Sequence, residues 1–250
     1  VDTATATTAD VAAMRKAIDN ANHPALFLVD TIASLACAEF RMDDWGVDLA
    51  VSGSQKGFMI PPGLSFLAVG KRAWEAHEQC KNPGFYFNFA KTKKAQDDFT
   101  TPWTPSTALI LGLDAALAMM EAEGLEAIVA RHARLRAMTR AGVSAMGLSL
   151  FVPDEAYASA AATAILPPDG VSVDAIRAGL KQRFGIVVAD GQKDLKGQIF
   201  RIGHLGHQGE REVLMTLSAL ETVLHDLGFK PKGNAVDAAR EIVPSPANVL

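Results

Sequence analysis

Three short apolar runs constrain the fold of this chain more than any other feature. They are Ala25 to Val29 (ALFLV), Leu49 to Ser52 (LAVS) and Leu64 to Val69 (LSFLAV). Each reads as a strand buried on both faces, the pattern of sheets covered by helices. Helical spacing stands around them. Ala9 to Ala21 carries Val11, Met14, Ile18 and Ala21 on one face and ends at His23-Pro24, because the residue before proline disfavours the helical region. A second helix is expected from about Lys71 to Gln79. Strands and helices in alternation predict an α/β layer architecture.

Further along, Lys81 to Pro105 carries charge, Phe and Trp without a clean period. It reads as a long irregular stretch, of the kind that is functional or covers a partner. Ser106 to Met120 and Gly124 to Met146 are strongly helical. Glu126 to Arg136 separates its apolar and basic residues onto different sides, as a helix between two domains would. After Gly147 the pattern becomes that of a smaller α/β unit. Strands are expected at Leu148–Val152, Ala161–Leu166, Gly185–Ala189 and Ile199–Ile202, and helices at Val171–Arg183 and Gly209–Leu227. Lys230 to Leu250 is polar, with Pro244 and Pro246, and reads as a segment draped over the surface.

Composition excludes several function classes. With 250 residues, 49% of them hydrophobic, the chain can bury a large core as one large domain or two modest ones. A net charge of −4 without a basic block argues against nucleic acid, and no apolar run reaches membrane-spanning length. The first residues do not pattern as a secretory signal. Cys37 and Cys80 lie in unrelated contexts and read as free thiols. A soluble cytoplasmic protein is the expectation. No spacing among the six histidines suggests a metal site.

Asp30 ends the first apolar run, and Lys56 follows the second within Ser52-Gly53-Ser54-Gln55-Lys56-Gly57. Taken singly, these are an ordinary turn acid and an ordinary surface lysine. Together, at the ends of parallel-type strands, two groups 26 positions apart can converge on one ligand. A lysine amine forms a Schiff base with an aldehyde cofactor, and a carboxylate keeps a pyridine nitrogen protonated. That is how a protein holds pyridoxal phosphate. The small Ser-Gly-Ser turn lets backbone and cofactor approach closely.

Four runs carry a family resemblance: LVDTIASLACAEFRMDDWGVDLAVSGSQKGFMIPPGLSF, TPWTPSTALILGLDAAL, EGLEAIVARHARL and IFRIGHLG. On these the chain resembles the class V, fold-type I pyridoxal-phosphate aminotransferases, in particular the serine–glyoxylate and alanine–glyoxylate branch. The resemblance implies a partial large domain with a mainly parallel sheet (residues 1–120), a connecting helix (121–146) and a small C-terminal α/β domain (147–250). It implies that Lys56 binds the cofactor and shuttles a proton, that Asp30 pairs with the ring nitrogen, that Ile32 packs on the ring and that Gln55 contacts the phosphate. It further implies that Thr104 reaches the phosphate of a neighbouring subunit in a homodimer, and that Arg201 clamps the substrate carboxylate.

For Arg201 the bare residues equally suit a strand-edge ion pair, and for Thr104 a helix N-cap. Thr3 stands where a cofactor-contacting hydroxyl falls in the family, although Ala6 replaces a usual glycine in that turn. His132 reads as structural. Family members carry a substantial region before the matching part, so the chain reads as the C-terminal part of such an enzyme. Serine is the expected donor and glyoxylate the acceptor. Alanine or aspartate as donor, or a fragment that needs a separate N-terminal half, remain open from sequence.

Overall fold

The first helix forms over Val11–Asn20 (α1), where the Asp10 carboxylate caps it by accepting from the Ala13 amide. The computed structural model describes residues 1–243, so Pro244 and Pro246 of the expected surface tail lie outside the described residues. The chain divides into two compact units. One comprises residues 10–32 and 40–122; the other comprises 1–9, 33–39 and the residues from Glu123 onward.

In the first unit, β1 (Leu28–Asp30), β2 (Leu49–Gly53) and β3 (Ser65–Val69) form one sheet in that order. β1 runs parallel to β2, with Leu28, Val29 and Asp30 beside Leu49, Ala50 and Val51. β3 runs antiparallel to β2, so this sheet is mixed where a mainly parallel one was expected. The reason is the connection. Only residues 54–64 join β2 to β3, whereas a parallel return needs a crossover of about a dozen residues or more.

The expectation of strands buried on both faces fails for β1 and β3, whereas β2 has no exposed residue, with Ala50 and Ser52 buried and Leu49 and Val51 half-buried. Leu28 of β1 is 59% exposed and Leu67 of β3 51% exposed, on the two edge strands of this sheet. α2 spans Lys71–Glu78, and the stretch read as irregular contains a further helix, α3 (Phe89–Asp97). Asn88 caps α3 by accepting from the Lys91 amide, and Lys93 pairs with Asp97 one turn on. No apolar period announced it because α3 buries only Ala95. Around it, Tyr86 stacks on Trp103, and the ammonium of Lys91 in α3 sits 4.4 Å from the Phe85 ring. α4 (Thr107–Glu123) is apolar all round, yet buries only Ala116 among its residues.

The second unit is built on α5 (Leu125–Ala145), with β4 (Ala162–Ile165), α6 (Val173–Phe184), β5 (Ala189–Asp190), β6 (Phe200–Gly203), α7 (Glu210–Asp226) and α8 (Ala235–Arg240). Its sheet has the order β4-β6-β5 and is antiparallel throughout. Leu135 and Met138 of α5, Leu180 of α6, Leu220 of α7 and Phe200 of β6 are fully buried in one core.

Two expected strands shrink and one loop becomes a helix. Leu148–Val152 touches β4 through a single bridge, Leu150 to Ile165; Pro153 has no amide with which to extend a ladder. The run read as a strand over Gly185–Ala189 pairs only from Ala189. Within Lys230 to Leu250, α8 is capped by Asn234 and buries Ala235 and Ala239 completely. Two alanines four apart give a narrow apolar stripe, enough to seat one short helix but too weak to read as a period. Among the described residues, no helix is long and apolar enough to cross a membrane. No group of three or more metal-ligating side chains occurs among them either.

Gly142 sets how closely α5, α7 and α8 meet. A Cβ there would lie 2.6 Å from Leu217 Cδ1 and 2.9 Å from the Ala235 carbonyl. Gly142→Ala is therefore expected to destabilise the chain by about 1–3 kcal/mol through overpacking, in spite of alanine's better helix propensity. Urea unfolding of the two proteins checks this, and a gain in stability would contradict the packing account.

Candidate functional site

The parallel register of β1 and β2 sends both chains out of the same end of the sheet. Thr31 fixes that exit, since its amide and its hydroxyl both donate to the Val51 carbonyl at 2.8 Å. Asp48 fixes the entry: its buried carboxylate accepts from the Phe27 amide at 2.7 Å and from Arg72 at 3.0 Å. Asp30 ends β1 with its side chain exposed. One of its oxygens accepts from the Ile32 amide at 2.8 Å, an Asx-type bond that orients the carboxylate and leaves the other oxygen open.

β2 runs out into a turn over residues 54–58. Ser54 is fully buried and pins this turn: its hydroxyl donates to the Pro61 carbonyl at 2.8 Å and accepts from the Leu64 amide at 3.2 Å. Gln55 on the turn is exposed and Lys56 half-buried. The Met59 amide donates to the Lys56 carbonyl, which closes the turn behind the lysine. Among the described residues, no carboxylate forms an ion pair with Lys56. Asp30, half-buried Ile32, Gln55 and Lys56 thus gather at one end of the β1–β2 pair. Thr104 belongs to the same unit but lies exposed on the segment before α4. The first turn of α4 closes on the Ser106 carbonyl, so Thr104 is not its cap.

Thr3 and Arg201 come together in the other unit from 198 positions apart. Arg201 is buried in the centre of β6 and donates to main-chain carbonyls. Nη1 goes to the Thr3 carbonyl, while Nε at 3.0 Å and Nη2 at 2.7 Å both reach the Asp190 carbonyl. Thr3 therefore enters through its backbone. Its turn is held by the Asp2 carboxylate, which accepts from the Thr5 hydroxyl and the Ala4 and Thr5 amides. That set, the Thr5 hydroxyl foremost, lowers the Asp2 carboxyl below its ordinary value. Ala6 adopts φ +57°, the left-handed conformation that the family's usual glycine takes without strain.

Burial lowers the Arg201 guanidinium from its usual value, and the nearby charges of Asp190 and Asp2 oppose that effect. No carboxylate pairs with it directly among the described residues. Two of its five N–H groups carry no bond among the described residues, and the strand-edge ion pair that the bare sequence also allowed is not formed.

The loop after β6 rests on two buried histidines. His132 is fully buried, accepts the Gly206 amide on Nε2 at 3.0 Å and contacts the Ile128 carbonyl through Nδ1 at 2.7 Å. A backbone N–H only donates, so Nε2 carries no proton and the ring is neutral. Burial keeps its pKa low. His204 bonds the Thr163 hydroxyl at 3.0 Å, and complete burial pushes its imidazole down to about 3. Arg131 completes the set with bonds to the Gly206 and Gln208 carbonyls and to Glu123. Sequence reading left His132 and His204 without a partner because each partner is a backbone amide or a lone hydroxyl, remote in sequence.

These sheets and helices have the architecture of fold-type I pyridoxal-phosphate-dependent transferases. The class-V aminotransferase model matches residues 1–203. The soluble hydrogenase small subunit of a Synechococcus strain is 46% identical over 96% of this chain and 62% of its own length. The serine–glyoxylate aminotransferase of Hyphomicrobium methylovorum is 41% identical over 96% of this chain and 60% of its own length. The crystal structure of pyridoxamine–pyruvate aminotransferase from Mesorhizobium loti superposes with a TM-score of 0.90 at 32% identity, over 96% of this chain and 62% of that one. The chain belongs to the class-V aminotransferase family. It spans less than two thirds of the length of these relatives.

The two low histidine pKa values have a consequence for stability. An unfolded histidine takes up its proton near pH 6.5, whereas folded His204 resists protonation until about pH 3. Between those values the unfolded state binds more protons, so stability is complete above pH 6.5 and is lost as pH falls toward 3. The loss is about 1.4 kcal/mol per pH unit for such a group. Urea midpoints at pH 7.5, 6 and 5 are expected to fall in that order, and His204→Gln is expected to shallow the slope.

Proposed function

We propose that this chain carries the cofactor lysine of an aminotransferase that uses pyridoxal phosphate, moves the amino group of serine to glyoxylate, and releases hydroxypyruvate and glycine. The observation that carries this reading is the emergence of Asp30 and Lys56 from the same end of the parallel β1–β2 pair, in a chain of the class-V family. The residues present fit the group. A half-buried amine stands on a turn of small residues, and a carboxylate with one oriented and one open oxygen ends the neighbouring strand. Pyridoxal phosphate bound there supplies a protonated ring that withdraws an electron pair from the carbon beside the amino nitrogen.

Each residue then has a task of its own. Lys56 would hold the cofactor through its amine, and that amine would take a proton from the substrate α-carbon and return it. Asp30 would hold the ring N–H with its open oxygen, while the Ile32 amide keeps the carboxylate in place. Ile32 gives an apolar face to pack on the ring, and Gln55 donates to the phosphate. Thr104 supplies a hydroxyl to the phosphate of a second subunit, and Thr3 lends its carbonyl to Arg201. Arg201 receives the substrate carboxylate on its two remaining N–H groups, which form a planar fork. Donor and acceptor visit the site in turn, so the kinetics are ping-pong.

Serine is the proposed donor on the strength of the similarity to a serine–glyoxylate aminotransferase. Alanine and aspartate carry the same α-carboxylate that Arg201 reads. Borohydride reduction of the protein with pyridoxal phosphate, followed by peptide mapping, is expected to give one adduct, on Lys56, which Lys56→Ala abolishes. Scattered adducts on surface lysines would defeat the assignment. Glycine formation from glyoxylate is expected to show its highest kcat/KM with serine. A higher value with alanine or aspartate would move the donor assignment to that amino acid.

A further inference from the structure

We infer that Asp190 is a positioning residue for Arg201, holding the guanidinium in place through its main-chain carbonyl while its own carboxylate is kept away from it. The inference rests on the reading of Arg201 as the receptor for a substrate carboxylate, and it adds what makes that arginine an effective receptor.

Asp190 closes β5, a strand of two residues paired with β6, where Ala189 lies opposite Arg201. Its carbonyl accepts from both Nε and Nη2 of Arg201, so the whole side edge of the guanidinium is fixed by one oxygen. The Thr3 carbonyl takes Nη1. What remains is one N–H on each terminal nitrogen, and the aim of that pair depends on where the Asp190 carbonyl stands.

The carboxylate of Asp190 decides where it stands. One oxygen accepts from the Gly197 amide at 2.9 Å, which ties the far end of the 191–197 turn back to the strand. The other lies 3.5 Å from Arg177 of α6, whose Nε also bonds the Val188 carbonyl at 3.2 Å. The turn has no slack. The Gly191 amide donates to the Ile199 carbonyl, and a Cβ on Gly191 would fall 1.9 Å from the Leu195 carbonyl oxygen. The Gly197 amide foremost, with Arg177 assisting, lowers the Asp190 carboxyl below its ordinary value, so the group is an anion wherever the protein is folded near neutrality.

A carboxylate one strand away from a buried guanidinium would normally pair with it and occupy the fork. Here Gly197 and Arg177 take its oxygens, and the guanidinium keeps its positive charge and two donors for an incoming anion. Loss of the Asp190 side chain frees the turn, lets the carbonyl drift and turns the fork. Loss of the charge alone, with the Gly197 bond kept, leaves the aim intact.

The test uses 3-hydroxypropanoate, which is serine without its amino group and so cannot react, with 1,3-propanediol as the probe lacking a carboxylate. Binding is measured by saturation-transfer NMR on the protein supplied with pyridoxal phosphate. Asp190→Ala is expected to weaken 3-hydroxypropanoate about tenfold and leave the diol unchanged. Asp190→Asn, whose amide oxygen can still accept from Gly197, is expected to stay within about threefold of the parent. Should Asp190→Ala not fold, Asp190→Ser, too short to reach Gly197, is read in its place.

Arg201→Lys separates the two readings. If it weakens the acid and the Asp190 variants do not, the positioning inference is overturned while the receptor role of Arg201 stands. If Arg201→Lys changes nothing, or the parent does not bind the acid, the receptor reading falls and takes this inference with it. Equal weakening by Asp190→Asn and Asp190→Ala would also overturn the inference, because charge and not the tether would then be what matters.

Discussion

Leu28, Val29 and Asp30 lie beside Leu49, Ala50 and Val51 in parallel, and the chemistry proposed for this chain depends on that register. Side chains alternate along a strand, so a slip of one residue would move every one of them to the other face and carry Asp30 with them. Strong local bonds guard the register at both ends. At the entry the buried Asp48 carboxylate holds the Phe27 amide, and at the exit Thr31 gives two hydrogen bonds to one carbonyl of β2. A three-residue strand has little pairing energy of its own, and these side-chain bonds supply what the ladder lacks.

The second unit is organised by a different device. Its helices meet through small residues, with Gly142 against Leu217 and the Ala235 carbonyl, and Gly179 against Val223. Several of its buried polar side chains are answered by backbone groups. Arg140, 6% exposed, gives its guanidinium to the Val152 and Pro153 carbonyls and to Glu155. Burial disfavours the charged form of His132 and His204, and in His132 one ring N–H serves the Ile128 carbonyl while Nε2 accepts from the Gly206 amide, so no second proton is called for. Arg201 carries no direct ion pair among the described residues and is held by the main-chain carbonyls of Thr3 and Asp190 alone.

Much of the fold was legible. The helices from Val11, Lys71, Leu125, Val173 and Glu210 were readable from residue spacing, and Asp10 and Ser172 cap two of them as well. α3 was not, since a helix with one buried residue leaves no period to read. The antiparallel turn of β3 was missed because an apolar run looks the same in either direction; only the length of the connection separates the two. The exposure of Leu28 and Leu67 was missed because they are as apolar as buried residues, and sequence does not say what covers the face of a strand.

The sequence by itself determined which groups this chain can bring to a reaction: an amine on a small-residue turn, an acid at a strand end and an arginine on a short strand. These are local matters of residue type and spacing. Tertiary structure decided how they are held. Asp30 is oriented by an amide two residues away, and Arg201 by the carbonyls of Thr3 and Asp190, which come from distant stretches of chain. Backbone carbonyls carry no sequence signature, because every residue has one. Which carbonyl meets which side chain is settled only when strands pair and turns close.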